Sequence, residues 1–154
     1  MSHNFTWYEI ARREIGTKEL AGIADNPRIV EYHSTTTLRA TDDEVPWCSS
    51  FVNWCVQKAG YLGTGSAAAR SWASWGVKID KPVKGCIVVM TRTGGGHVGF
   101  YEGSDSSTVQ VLGGNQDDAV NSRRYRAQRV LCYVLPKKMN DKDSMAYQLM
   151  KTGA

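Results

Sequence analysis

Apolar positions recur at helical spacing through the first half of the chain and at strand spacing through the second. Between Phe5 and Ile15, Trp7, Ala11 and Ile15 take one face, with Tyr8 and Ile10 beside them, while Arg12, Arg13 and Glu14 take the other. Gly16 is placed to end that helix. Asn26-Pro27 reads as an N-cap with proline at the first helical position, opening a short helix through Ile29, Val30 and Tyr32. The threonine- and acid-rich run from Ser34 to Glu44 is a loop. Pro46 restarts a helix: Cys48, Phe51, Val52, Cys55, Val56 and Ala59 fall at i, i+3, i+4, i+7, i+8 and i+11, an apolar stripe ended by Gly60. Ser66 to Ala73 makes a further short helix, stopped before Gly76.

From Lys84-Gly85 onward β-branched and aromatic residues dominate. Five strands are predicted, Cys86 to Arg92, His97 to Glu102, Thr108 to Leu112, Ala119 to Tyr125 and Arg129 to Leu135, separated by Gly, Ser, Asp and Asn. Helices first and antiparallel strands second define an α+β fold. Thr93 to Gly96 is a glycine-rich hairpin turn; no Lys-Ser/Thr follows it, as a phosphate cradle requires. Residues 1–136 form the expected globular domain. Residues 137–154 read as a basic tail, loosely held, with a weak helical pattern around Met145 to Met150. No internal repeat is visible.

Composition narrows the classes. The 154 residues suit one domain, with 42% apolar and 22% charged residues. The chain has no run of eighteen apolar residues, and Met1 to Trp7 lacks a basic segment followed by an apolar one. Neither a membrane span nor a Sec signal is expected, so synthesis in the cytoplasm is. The formal net charge of +4 is small and scattered along the sequence, which argues against nucleic acid but suits an anionic polymer as partner. Cys48, Cys55, Cys86 and Cys132 do not form CxxC pairs, so a structural zinc site is not expected. Cys48 and Cys55 stand seven residues apart on one helix, about 10.5 Å of rise, beyond the roughly 7 Å Cα limit for a disulfide.

Two residues carry candidate chemistry. Cys48 reads either as a small buried hydrophobe or as a nucleophile in the first turn of a helix, where unpaired N–H groups and the dipole favour a thiolate and can receive an oxyanion. His97 opens a strand in which His97, Gly99 and Tyr101 share a face, with glycine leaving space beside the imidazole. A base needs an orienter for its second nitrogen. Gly113-Gly114-Asn115-Gln116 follows an apolar strand, with Asn115 the first choice and Gln116 the second. His3 and His33 lack such context and are expected at the surface. Trp47, Trp72, Trp75 and Tyr101 read as groove or, more commonly, core residues.

The order of nucleophile on a helix, histidine on a strand and amide on the next strand resembles the papain-like peptidoglycan hydrolases of the NlpC-type and CHAP (cysteine, histidine-dependent amidohydrolase/peptidase) superfamily. Ile15-Gly16-Thr17-Lys18-Glu19, Asn26-Pro27-Arg28-Ile29, the run from Pro46-Trp47-Cys48 to Trp54-Cys55, Gly96-His97-Val98-Gly99 and Gly113-Gly114-Asn115-Gln116 are similar to a phage-associated branch, over roughly residues 5 to 136. The resemblance implies N-terminal helices packed on an antiparallel sheet of about five strands. It further implies Cys48 as nucleophile, His97 as general base then acid and Asn115 as orienter, with Gln116 and Trp47 as a further orienter or substrate contact. The implied activity is cleavage of a stem-peptide amide through a thioester, with bacterial peptidoglycan as partner and no cofactor. The chain departs from some CHAP lysins in having no acidic calcium-binding cluster upstream of the cysteine, so no metal is expected, and its charge and hydropathy leave nucleic acid and membrane insertion unexpected. The implied setting is a monomeric, bacteriolytic phage endolysin or virion enzyme acting on the cell wall in the periplasm or after delivery. An injected interbacterial toxin amidase, or a non-catalytic wall-binding module, are the alternatives.

Overall fold

The computed structural model describes residues 3–20, 26–37 and 47–152. The part of the Ser34 to Glu44 loop beyond Thr37, and Pro46, lie outside the described residues. Helices α1 (Thr6–Arg13), α2 (Pro27–His33) and α3 (Cys48–Lys58) come first, and a 3-10 turn spans Ala69–Ser74. Strands follow: β1 (Val77–Ile79), β2 (Ile87–Arg92), β3 (Gly95–Ser104), β4 (Thr108–Gln116), β5 (Ala119–Arg126) and β6 (Val130–Leu135). Helix α4 (Asp141–Thr152) ends the chain. The sheet runs β1-β6-β2-β3-β4-β5 with every neighbouring pair antiparallel. This is the α+β arrangement that the change of period predicts.

The sheet has six strands, not about five. Val77–Ile79 is too short to show alternation, and it is a strand because it pairs with β6, Val77 opposite Leu135. The β2–β3 hairpin closes on Thr93-Gly94, since Arg92 already pairs with Gly95. Gly94 supplies the left-handed φ of 79° that the tight turn needs.

Helix α3 is the centre of the molecule. Every residue from Cys48 to Val56 is buried, so the helix is enclosed all round and the apolar stripe covers only part of its surface. Phe51 meets Phe100 of β3 edge-on at 6.3 Å, and on the other side Tyr32 of α2 meets Trp47, Phe51 and Trp54 at 5.8, 5.1 and 5.1 Å. The polar residues of α3 are buried with partners, as interior polar groups must be. Ser49 Oγ donates to Ser66 O at 2.7 Å and accepts from Trp72 Nε1 at 2.9 Å. Asn53 Nδ2 donates to Ser49 O and Ser66 O, and its Oδ1 accepts from Gly65 N. His33, expected at the surface, is instead fully buried with Nδ1 at 2.9 Å from Ser50 Oγ. The packing of α2 on α3 turns its last residue inward.

The C-terminal segment, read from sequence as loosely held, is docked through α4. Asp143, fully buried, accepts from Thr6 N at 2.7 Å, Thr6 Oγ1 at 2.8 Å and Tyr61 Oη at 2.5 Å. Phe5, the N-cap of α1, has no side chain to offer the first turn, and Asp143 supplies that cap from the far end of the chain. Ala146, Tyr147 and Met150 pack on the core from the same face, so the docking stripe of α4 is short and has a carboxylate at one of its positions, which weakens its apolar pattern in the sequence.

Candidate active site

Cys48 is the first residue of α3 and is 6% exposed. Burial pushes its thiol above the ordinary pKa. The backbone N–H groups of Val98, Ser49 and Cys48 itself, together with the Arg92 guanidinium, pull the other way. The expected depression of this pKa by the helix start is therefore reversed at rest, because desolvation outweighs the dipole. The same N–H groups are the donors an oxyanion near the sulfur would meet. Since Val98 follows His97 directly, its bond to the sulfur brings the thiol and the histidine strand together.

His97 is 2% exposed, so the face predicted to be open is covered. Burial lowers its pKa to about 4. Gln116 acts in the opposite sense, and Arg92 and Arg129 add to the lowering. His97 Nε2 lies 2.9 Å from Gln116 Oε1 and 3.4 Å from Tyr125 Oη. The orientation of the Gln116 amide is determined by its other end, where Nε2 donates to Asn121 O at 2.8 Å, Asn121 Oδ1 at 3.0 Å and Val111 O at 3.2 Å. Only Oε1 is left to face the imidazole. His97 Nε2 must then carry the proton, and Nδ1 is the bare nitrogen.

Asn115, the first choice for this contact, does not make it; Gln116 does. The reason is a β-bulge. Gly113 pairs with Asn121 while Gln116 pairs with Ala119, so β4 has one residue more than β5 across this interval. Asn115, at a left-handed φ of 58°, absorbs the extra residue. In an unbroken strand Gly113 and Asn115 would share a face; the bulge puts Gln116 on Gly113's face instead. A Cβ on Gly113 would lie 2.7 Å from Gln116 Oε1 and 3.5 Å from His97 Nε2.

A cavity of about 870 Å³ opens beside His97, walled by His97, Asn115, Gln116, Tyr125 and Asp117, by threonines of the β2 end, and by Arg92, Arg123, Arg124, Arg126 and Arg129. Cys48 is not among its walls. Positive charge that is scattered in sequence is gathered here, because Arg92 ends β2, three arginines lie on β5 and Arg129 follows it. Tyr125 and these arginines are residues that sequence reading missed; the run Arg123-Arg124-Tyr125-Arg126 was the available signal.

The aromatic residues divide differently. Trp47 is fully buried, donates Nε1 to Glu19 Oε1 at 2.8 Å and packs against Gly114, whose Cβ would approach its ring to 2.6 Å. That enclosure excludes it as a substrate contact. Trp72 is also core. Cys55 and Cys86 are fully buried as expected, whereas Cys132 on β6 is half-exposed. Among the described residues no helix is long and apolar enough to cross a membrane.

N-terminal helices against an antiparallel sheet, with a thiol at a helix start beside a histidine strand, define a papain-like α+β protein. Residues 40–115 match the family model of the CHAP domain. That match identifies the stretch as a CHAP domain and puts the chain in the CHAP and NlpC-type superfamily, whose activity class is peptidoglycan amide hydrolysis. It opens upstream of Cys48, takes in His97 and ends at Asn115, next to the residue that contacts the imidazole. No curated protein matches the chain.

Proposed function

We propose that the protein cleaves an amide bond in peptidoglycan stem peptides with Cys48 as nucleophile, His97 as general base and acid, and Gln116 as the orienting residue in place of Asn115. The observation that carries this reading is the locked Gln116 amide, which leaves the imidazole bare at Nδ1 in a chain with a CHAP match. Thiol and imidazole are both neutral at rest, so the proton moves from Cys48 Sγ to His97 Nδ1 as sulfur attacks the carbonyl carbon. The oxyanion is received by backbone N–H groups near Cys48. Collapse breaks the C–N bond, and the imidazolium protonates the leaving amine. Water, deprotonated by His97, then hydrolyses the thioester, releasing a carboxylic acid and restoring the thiol.

The motif resemblance supports a phage lytic enzyme over an injected toxin; expression in a host periplasm with and without the genes encoded beside it distinguishes them, since only a toxin is neutralised by a cognate partner. For the chemistry, turbidity of permeabilised bacteria should clear with wild type and not with Cys48→Ala, while both pellet with sacculi. Pelleting by both with clearance by neither would establish a wall-binding module instead.

A further inference from the structure

We propose that Arg92, Arg126 and Arg129 form an anion subsite that takes a stem-peptide carboxylate on the residue flanking the scissile amide. This rests on the hydrolase reading above.

The argument starts from charge balance. Of the five arginines around the cavity, Arg123 is paired with Asp117, and Arg124 lies 3.4 Å from Asp105. Among the described residues no carboxylate pairs with Arg92, Arg126 or Arg129. Like charges gathered on one concave wall repel, and a bound anion relieves that repulsion. Arg129 is also pre-set. Its Nε donates to Thr91 O at 3.0 Å, and its guanidinium lies 5.2 Å over the Tyr125 ring. Those contacts hold the planar group while leaving its terminal nitrogens for a ligand, the fork that suits a carboxylate.

Distance from the chemistry says which part of the substrate is read. The Tyr125 ring is 5.4 Å from the His97 ring and its hydroxyl is 3.4 Å from Nε2, so the guanidinium is one aromatic ring removed from the imidazole. An anion there belongs to a residue next to the cut bond. Stem peptides carry such a group in the free carboxylates of glutamate and of diacidic diamino acids. Phosphodiester polymers attached to the wall are the other source of anions and are separated by the test.

Sacculi stripped of phosphodiester polymers are prepared in two batches, one with free carboxylates and one with carboxylates amidated, and release of new amino groups is measured. A charged hydrogen bond contributes about 1.5–3 kcal/mol, so wild type should turn over the free batch about 10- to 100-fold faster. Arg126→Gln and Arg129→Gln should each raise KM on the free batch more than they lower kcat and narrow the ratio of free-batch to amidated-batch turnover toward one. Arg126→Lys should recover part of the difference, and circular dichroism checks folding. Equal turnover of both batches by wild type would overturn the subsite alone, as would turnover of a third batch left unstripped with none of the two stripped ones. Turnover of no batch would overturn the hydrolase reading itself.

Discussion

Replacing Gln116 by leucine tests the central geometry, because the amide is held at one end and acts at the other. The near-isosteric side chain fills the space but offers neither Oε1 to His97 nor Nε2 to Asn121 O. The buried imidazole N–H then has Tyr125 Oη at 3.4 Å as its nearest remaining partner, and the Asn121 carbonyl loses a bond of 2.8 Å. At about 1–3 kcal/mol for each of the two buried groups left unsatisfied, the variant should unfold about 2–6 kcal/mol more easily in urea. The second effect is on the tautomer. Without an acceptor at Nε2 the proton is free to sit on Nδ1, where it blocks the base, so turnover should fall on the order of 10- to 1,000-fold in folded protein. Nitrogen-15 NMR of the imidazole reads the tautomer directly. Asn115→Gly keeps the left-handed backbone and should stay within about tenfold of wild type, since Asn115 does not hold the ring. A wild-type tautomer and rate in Gln116→Leu, with the loss appearing in Asn115→Gly, would refute the reasoning.

Gly113→Ala should imitate that loss without touching a reacting group, because its Cβ would meet Gln116 Oε1 at 2.7 Å; a turnover assay beside thermal unfolding should show reduced rate, and unchanged rate would mean the amide shifts harmlessly. Cys48→Ala should abolish amino-group release while changing stability by no more than about 1 kcal/mol, checked by urea unfolding. His97 makes stability depend on pH. Its folded pKa of about 4 lies below the unfolded 6.5, so the unfolded chain binds more protons between these values. Stability should be fully present above pH 6.5 and fall by about 3 kcal/mol as the pH drops to 4. Urea midpoints at pH 7.5 and 4.5 should differ by less in His97→Phe.

The local signals in the sequence were sufficient for the helices and most strands. Asn26-Pro27 caps α2 as read, with Asn26 Oδ1 accepting from Arg28 N, and Gly60 follows the end of α3. These features depend on residues a few positions apart. What sequence reading lost depends on pairing across the fold. The bulge that exchanges Asn115 for Gln116 exists only as a mismatch between β4 and β5. The burial of His33 and the docking of α4 through Asp143 depend on which helices touch. The arginine wall required knowing that the end of β2 and the strand β5 border one cavity. The thiol pKa was misjudged for a similar reason, since the helix start is visible in sequence but the depth of its burial is not.

Strand β5 closes one side of the sheet, and among the described residues the segment 16–19 covers the start of its outer rim, Gly16 N donating to Val120 O at 3.1 Å and Val120 N to Thr17 O at 2.7 Å beside the bridge between Lys18 and Ala119. An open strand edge is a template on which a second molecule can grow. Here that edge ends at Arg126, whose guanidinium has no carboxylate partner among the described residues, unlike Arg123 and Arg124, so like charge meets like when an identical edge is brought alongside. Arg126→Gln should therefore shorten the time that concentrated solutions of the protein stay clear, read by light scattering.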